Sequence, residues 1–171
     1  MKTIVETNRL ILREFNINDA ENFYRLNLNP NVIQYTGNSA FKNIEEAQFF
    51  LENYKDYLEN GFGRWAVIEK STQLFLGWCG LKYDTFSNET DIGFRFFEEY
   101  WNNGFASESA KACLDYGFEK INLKTIIGRA MAENIASIKV LEKIGLRYEK
   151  EFNFDERKGL IFKIEKNKAI T

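Results

Sequence analysis

The sequence predicts a single α/β domain in which a mixed sheet carries helices on both faces. The chain has 171 residues, a length that suits one domain. Hydrophobic residues make up 44% of it and aromatic residues 16%, a globular composition that can bury a core without metal or disulfide. Strand-like and helix-like periodicity alternate in the order β-α-α-β-β-β-α-β-α-β-β. Neither a linker nor a repeat interrupts this order, so we expect residues 1–171 to form one domain.

The N-terminal third contains one predicted strand and two predicted helices. Residues 10–15 are predicted to be a strand because apolar side chains dominate them. Each helix opens with asparagine at its N-cap and glutamate three positions later. The two pairs are Asn18 with Glu21 and Asn43 with Glu46. Apolar residues at helical spacing extend the second helix from Ala47 to Leu58, and Gly61 is expected to end it.

The remaining elements follow the same periodicity argument. Three strands are predicted at 65–68, 74–83 and 91–97. After Gly104 the apolar residues repeat at helical spacing, which predicts a helix. The last predicted elements are a strand from Thr125, a helix from Asn134 to Ile144 ended by Gly145, and two closing strands at 146–154 and 160–164.

The charge balance and the lack of histidine exclude several classes of function. Lysine and arginine total 23, aspartate and glutamate total 25, and the net charge is −2, so we expect no nucleic-acid partner and no membrane partner. The sequence contains no histidine, which excludes histidine triads, histidine general bases and histidine metal sites. We expect no metal, and chemistry based on carboxylates, hydroxyls, amides and the backbone.

The cysteines and the N-terminus indicate a cytoplasmic protein. Cys79 and Cys113 form no C-x-x-C pair and are expected to be buried apolar residues in a reducing cytosol. The segment from Met1 to Glu6 reaches a charge after two apolar residues, so it is not a signal peptide. No apolar run approaches the roughly 20 residues of a membrane span.

Residues 94–108 contain a candidate phosphate-binding turn. A strand ends, a short turn with Gly104 follows, and a helix with small residues begins. The N–H groups at a helix N-terminus suit a pyrophosphate, and Gly104 and Ala106 would allow a close approach to the backbone. Asn103-Gly104 is also typical of a hairpin turn, but the helical spacing after it favours a helix start.

Two segments match known motifs. The first is Trp101-Asn102-Asn103-Gly104-Phe105-Ala106-Ser107-Glu108-Ser109, and the second runs from Glu133 to Gly145. They resemble Trp-Gly-x-Gly-Tyr-Ala-x-Glu-Ala and Glu-Asn-x-x-Ser-x-x-Val-Leu-Glu-Lys-x-Gly in the GNAT superfamily of N-acetyltransferases, within its ribosomal-protein N-terminal (RimJ/RimL-like) branch. The tracts Arg9–Arg13 and Leu76–Leu81 also resemble this branch, so the resemblance covers nearly the whole chain.

The resemblance implies a mostly antiparallel sheet splayed between the strands at 91–97 and 124–130, with acetyl-CoA as co-substrate in the slot. It implies direct transfer of the acetyl group to an amine in a ternary complex. The backbone at Phe94, Arg95 and Phe96 would pair with the pantetheine arm, and Asn134 would hold that arm. The turn residues expected to bind the cofactor are Trp101, Asn102, Asn103, Gly104, Phe105, Ala106 and Ser107, with Lys143 near the adenosine phosphate.

This sequence departs from the family pattern at three positions. Glutamine or arginine is common in the superfamily at Trp101, and a basic residue is common in the branch at Asn103, so we expect phosphate binding to rely on backbone amides. Many members have a tyrosine, as proton donor to the thiolate, where this chain has Leu141. Ser137 is the remaining nearby hydroxyl and is our candidate for that role, the alternative being helix capping.

An amine attacks a thioester only when it is neutral. An α-amine with a pKa of about 7.7–8.0 needs less help than a lysine-type amine of about 10.4. Asp91 is the leading candidate for the base, with Glu89 and Glu133 as alternatives, although each could simply be a solvated charge. A backbone N–H near residues 94–96 could stabilise the oxyanion. The aromatic residues Trp65, Trp78, Tyr83 and Phe86 line either an acceptor pocket or the core.

The sequence leaves three functions open. The first is an N-acetyltransferase for a protein N-terminal α-amine, such as that of a ribosomal protein. The second is a small-molecule N-acetyltransferase for a polyamine, aminoglycoside or amino acid. The third is a non-catalytic acyl-CoA-binding module, which Leu141 keeps open. A monomer and a homodimer both remain compatible with the sequence.

Overall fold

The computed structural model describes residues 2–154 and 156–166 and is built around an eight-stranded sheet. The strands are β1 (Thr3–Glu6), β2 (Leu10–Arg13), β3 (Arg64–Glu69), β4 (Phe75–Asp84), β5 (Glu89–Phe96), β6 (Thr125–Met131), β7 (Arg147–Phe154) and β8 (Arg157–Glu165). Their order across the sheet is β1-β2-β3-β4-β5-β6-β8-β7. The β5–β6 pair is parallel because a helix connects the two strands, and the other pairs are antiparallel. This confirms the predicted mixed, mostly antiparallel sheet.

Helices cover both faces of the sheet, as predicted. They are α1 (Ala20–Leu28), α2 (Pro30–Ile33), α3 (Ile44–Glu52), α4 (Asp56–Asn60), α5 (Phe105–Glu119) and α6 (Ile135–Lys143). Apolar residues of α5 and α6 pack on one face in a core that contains the buried Cys79 and Cys113. Those of α1 and α3 pack on the other face. No helix in the described ranges has the length and apolar character to cross a membrane.

The first helix begins differently from the prediction. Asn18 is not the N-cap, because the side chain of Asn16 accepts a hydrogen bond from the Asn18 N–H at 2.8 Å. The carboxylate of Asp19 accepts in turn from the Asn16 N–H at 2.9 Å, which completes a capping box around a 3₁₀ turn. Arg13 holds this buried carboxylate through two hydrogen bonds, so a contact with β2 sets the start of α1.

The second predicted helix is broken into α3 and α4. Its N-cap is Asn43, as predicted, whose side chain accepts from the Glu46 N–H at 2.9 Å. The helix ends after Glu52. The Asn53 side chain donates to the Phe49 carbonyl at 2.8 Å and so provides a hydrogen bond to one of the last carbonyl groups of α3. Gly61 ends α4 in a left-handed conformation, φ +77°, as predicted.

Two elements were not predicted. β1 pairs with β2 along the edge of the sheet, and its short length gives it little periodicity. α2 has proline at its first position and Asn29 as its N-cap, with the Asn29 side chain accepting from the Asn31 N–H at 2.9 Å. Pro30 is therefore the first residue of the short helix α2.

The sheet opens between β5 and β6. The two strands pair at Asp91 with Ile127 and at Ile92 with Gly128, which leaves the backbone of residues 94–96 without a partner on β6. The end of α6 packs tightly on β6, because a Cβ on Gly128 would lie 2.5 Å from Leu141. The opening lies where the resemblance to the GNAT superfamily implied it, between the strands at 91–97 and 124–130.

Candidate active site

Two cavities adjoin at the opening of the sheet. The larger, of about 630 Å³, lies between the end of β5, the turn before α5 and the start of α6. The smaller, of about 280 Å³, lies among β5, β6, residues 35–36 and the β7–β8 hairpin. Phe94, Arg95, Asn134 and Ser137 line both cavities. A molecule in one cavity can therefore approach a molecule in the other.

The predicted cofactor residues lie around the larger cavity, with one exception. Its lining includes Phe94, Arg95, Phe96, Trp101, Asn102, Gly104, Phe105, Ala106, Ser107, Asn134 and Lys143. Asn103 does not line it; its side chain donates to the Trp101 carbonyl at 3.0 Å. Glu133 lines the larger cavity and Asp91 the smaller, whereas Glu89 lines neither.

The turn before α5 has the geometry of an anion site. Gly104 adopts φ +80° and starts the 15-residue helix. Because the first N–H groups of a helix have no intrahelical acceptor, those of Phe105, Ala106 and Ser107 are available at the cavity. This confirms that the Asn103-Gly104 turn leads into a helix and not into a hairpin.

Arg9 and Glu108 tie the start of α5 to the N-terminal strands. Arg9 Nε donates to Glu108 Oε2 at 2.7 Å, and Arg9 Nη1 donates to the Asn103 carbonyl at 3.1 Å. The guanidinium also lies 4.4 Å from the centre of the Phe105 ring. Burial raises the pKa of Glu108, but hydrogen bonds from Thr7 and Arg9 outweigh it, so the net pKa lies below the ordinary value. This contact holds the turn in place.

Replacing Glu108 by glutamine is expected to lower the free energy of unfolding at pH 7 by about 0.5–1.5 kcal/mol, because the Arg9 side chain is 46% exposed and solvent screens the contact. A depressed folded-state pKa stabilises the fold above the unfolded-state pKa, and this contribution disappears as the pH falls through the folded-state pKa. The difference from wild type should therefore shrink below about pH 4. Urea unfolding at several pH values measures it, with the exposed Glu119→Gln in the same helix as control. Equal losses in the two variants would contradict the role of Glu108.

The start of α6 places a free hydroxyl at the junction of the cavities. The Asn134 side chain accepts a hydrogen bond from the Ser137 N–H at 3.1 Å and so caps the helix. The capping role considered for Ser137 therefore belongs to Asn134. In the described part of the chain, the Ser137 hydroxyl has no hydrogen-bond partner. Leu141, one turn later, is 1% exposed and lines the smaller cavity with Ser137.

The end of α6 confirms the predicted role of Gly145. The Gly145 N–H donates to the Glu142 carbonyl at 3.1 Å and the Leu146 N–H to the Leu141 carbonyl at 3.0 Å, as in a Schellman motif. Gly145 has φ +107°, a backbone conformation that favours glycine.

The charged residues that line the smaller cavity are three arginines and one aspartate, namely Arg64, Arg95, Arg129 and Asp91. Arg64 Nη2 lies 2.9 Å from Asp91 Oδ2, and both side chains are mostly buried. Burial lowers the pKa of Arg64, but Asp91 more than compensates and the net shift is upward. The Asp91 carboxylate is thus engaged in an ion pair, and its role as base stays a prediction. Sequence reasoning missed Arg64 and Arg129, although each interrupts or borders an apolar strand.

Aromatic residues cover the smaller cavity. Arg157 Nη1 donates to the Gln34 carbonyl at 3.1 Å, and its guanidinium lies 5.6 Å from the centre of the Tyr35 ring. A Cβ on Gly37 would lie 2.5 Å from Phe154. Residues 34–37 are thereby fastened to the β7–β8 hairpin, and this connection limits the space above the cavity.

Of the four aromatic residues that the sequence suggested for an acceptor pocket, only Trp78 lines either described cavity. Trp65 is buried in the core and Phe86 is 99% exposed. Tyr83 packs partly against the core. Among the described residues, no group of three or more Cys, Asp or Glu side chains could hold a metal ion.

The chain resembles known proteins over most of its length. Residues 9–147 match a family model described as an acetyltransferase (GNAT) domain. The uncharacterized protein YkkB of Bacillus subtilis (strain 168) is 36% identical over 154 residues, covering 87% of this chain and 88% of that protein. The uncharacterized N-acetyltransferase YnaD of the same strain is 35% identical over 146 residues, covering 85% and 83%.

A solved acetyltransferase (GNAT family) from Bacillus anthracis has a TM-score of 0.82 and 27% identity, covering 94% of this chain and 97% of that one. This agreement in fold accompanies the sequence matches and confirms the resemblance found in the two motifs. The chain belongs to the GNAT acetyltransferase family.

Proposed function

We propose that this N-acetyltransferase holds acetyl-CoA in the larger cavity and passes the acetyl group directly to an amine in the smaller one. The observation that supports this most is that Ser137 lies where the two cavities adjoin, beside residues 94–96, whose backbone pairs with β4 and has no partner on the β6 side. Acetyl-CoA supplies an activated thioester. The exposed N–H groups at the start of α5 would bind its pyrophosphate, and Asn134 would bind its pantetheine arm.

The acceptor in this proposal is an α-amine, first of all that of a protein N-terminus. Three arginines line the smaller cavity: Arg64 and Arg129 are ion-paired with Asp91 and Glu89, whereas Arg95 keeps a positive charge that no described ion pair neutralises. Neighbouring positive charges disfavour a protonated amine and lower its pKa. An α-amine already has a pKa of about 7.7–8.0, whereas a polyamine is close to 10.4. The cavity therefore suits the neutral α-amine better than a polycation.

A small α-amine, such as a free amino acid, is the second candidate. The observation in its favour is the attachment of residues 34–37 to the β7–β8 hairpin through Arg157 and Phe154. This attachment narrows the space through which a longer peptide would extend from the smaller cavity.

A thiol-release assay with acetyl-CoA tests both candidates. The panel contains peptides with ribosomal-protein N-terminal sequences, free amino acids, spermidine and aminoglycosides. We expect turnover of peptides or amino acids with a free α-amine and little turnover of spermidine. A larger kcat/KM for spermidine would contradict the proposed acceptor class. Acetyl-CoA binding without turnover of any amine would support the non-catalytic module.

Replacing Gly104 by valine is expected to weaken acetyl-CoA binding by about ten-fold or more, because a β-branched residue at φ +80° shifts the turn that presents the helix N–H groups. Isothermal titration with acetyl-CoA measures the effect. Gly61→Val is a matched control: Gly61 has φ +77°, a Cβ there would meet nothing within 4 Å, and it lines neither described cavity. Similar affinities in the two variants would exclude the turn as the binding site.

Asn134 caps α6 and is also proposed to contact acetyl-CoA. Two substitutions separate these two roles. Asn134→Asp keeps the capping oxygen but loses the amide N–H donors, so KM for acetyl-CoA should rise roughly three- to ten-fold at unchanged stability. Asn134→Ala should raise KM similarly and also lose about 1 kcal/mol of stability. Steady-state kinetics and thermal melting measure the two effects. An unchanged KM in Asn134→Asp would leave Asn134 with the cap alone.

A further inference from the structure

We infer that the Arg95 side chain forms an anion subsite in the acceptor cavity, so that the acceptor carries a carboxylate or similar anionic oxygen group beside its amine. This rests on the proposed function and narrows its acceptor class. The subsite would set the orientation of the acceptor.

Arg95 is held in a defined position. Its Nη1 donates to Asn27 Oδ1 on α1, and its Nη2 donates to Asn38 Oδ1 at 2.9 Å. Its guanidinium lies 5.3 Å from the centre of the Trp78 ring on the paired strand. These neutral partners fix the guanidinium and leave further N–H donors of its planar fork for a ligand.

The charge of Arg95 is not neutralised by the protein. Arg64 is paired with Asp91 at 2.9 Å and Arg129 with Glu89 at 2.9 Å. No ion pair within residues 2–154 and 156–166 includes Arg95. Burial and then the neighbouring Arg64 lower the pKa of Arg95 to about 10, so it remains a cation at neutral pH. A partly buried cation without a counter-ion is costly unless an anion joins it.

The location of Arg95 indicates which molecule supplies the anion. Arg95 lines both cavities, as do Asn134 and Ser137. The turn proposed for the cofactor phosphates follows β5, beyond Phe96. The guanidinium of Arg95 lies instead beside the ring of Trp78, which lines the smaller cavity and not the larger one. A planar guanidinium binds carboxylate or phosphate oxygens in a fork geometry, which suits a compact anionic amine.

The test uses acceptors that carry or lack the anion, with kcat/KM expressed per neutral amine because a neighbouring carboxylate also raises the pKa of the amine. In the first arm, amino acids are compared with their carboxamides, which tests a backbone carboxylate. In the second arm, C-terminally amidated peptides with aspartate at the second position are compared with those carrying asparagine there, which tests a side-chain carboxylate. In at least one arm, we expect the anionic member to have a kcat/KM about ten- to a hundred-fold larger. Arg95→Gln should abolish that preference while KM for acetyl-CoA stays the same. Arg95→Lys should retain part of it, because the charge remains without the fork.

Arg25→Gln is the matched control, since Arg25 is an exposed arginine of α1 that lines neither described cavity. Thermal melting checks the folding of each variant. A parallel arm measures how N-acetyl amino acids and their carboxamides stabilise the CoA-loaded protein, and it needs no turnover. Stabilisation by the acids alone, lost in Arg95→Gln, would support the subsite even if no amine were acetylated, a result that would overturn the proposed function.

Equal kinetics and equal stabilisation for the acidic and amidated members of each pair would overturn the inference. So would an Arg95→Gln variant in which only KM for acetyl-CoA rises, because the guanidinium would then serve the cofactor.

Discussion

Replacing Ser137 by alanine is expected to lower kcat by about ten- to a thousand-fold, at the lower side of general-acid effects. The hydroxyl lines both cavities and has no hydrogen-bond partner in the described ranges, so it can donate a proton to the departing thiolate. A thiolate with a pKa of roughly 8.5 leaves partly unassisted at neutral pH, which keeps the effect moderate. KM for acetyl-CoA should hardly change, because the lost interaction belongs to the transition state.

Two further variants make the Ser137 experiment decisive. Ser137→Thr keeps the hydroxyl and should retain most of kcat. Leu141→Tyr in the Ser137→Ala background should restore part of kcat, because Leu141 lines the smaller cavity on the same helix face. Kinetics from pH 6 to 9 with a saturating amine measure these effects. A Ser137→Ala enzyme with wild-type kcat across this range would show that the hydroxyl is not the donor.

Removing the Asp91 carboxylate is expected to lower the free energy of unfolding by about 3–5 kcal/mol, as when one member of a buried ion pair is lost. The Arg64 and Asp91 side chains are only 14% and 17% exposed, so Asp91→Ala leaves the Arg64 charge without its partner. Urea unfolding measures the loss. Combining Asp91→Ala with Arg64→Met removes both charges and should recover most of the stability, which a merely local packing defect would not allow.

The same double variant tests the predicted role of Asp91 as general base. If Asp91 accepts the amine proton, kcat stays low in the stable double variant, most of all at lower pH where a larger share of the amine is protonated. A recovered kcat would leave Asp91 only as the partner of Arg64.

Much of this fold could be predicted because its elements depend on local chemistry. The period of the apolar residues identified every long strand and helix, and Gly61, Gly104 and Gly145 adopt the left-handed backbone expected of glycines at helix ends and starts. The predicted cofactor residues also lie together around the larger cavity, apart from Asn103. Those between 94 and 107 follow one another in sequence, so a turn and a helix start bring them together, whereas the fold brings Asn134 and Lys143 of the second motif beside them.

Other features depended on particular hydrogen bonds and on short elements that apolar periodicity does not show. Asn16 caps the 3₁₀ turn that precedes α1, and α1 begins after Asp19 and not after Asn18, with the Asp19 carboxylate held by Arg13 of β2. The break between α3 and α4 and the short elements β1 and α2 have too few residues for a clear period. Each of these departures reflects packing or capping that outweighed a local preference.

The fold class, the family motifs and the turn before α5 could be predicted from the sequence, because each depends on the chemistry of neighbouring residues. The pairing of the charges in the smaller cavity depends on the tertiary structure. Asp91 neutralises Arg64 from 27 positions away, whereas the hydrogen-bond partners of Arg95 among the described residues are the neutral amides of Asn27 and Asn38, 68 and 57 positions away. Whether a charged side chain is paired or free depends on which distant residues the fold brings beside it, and residue spacing does not contain that information.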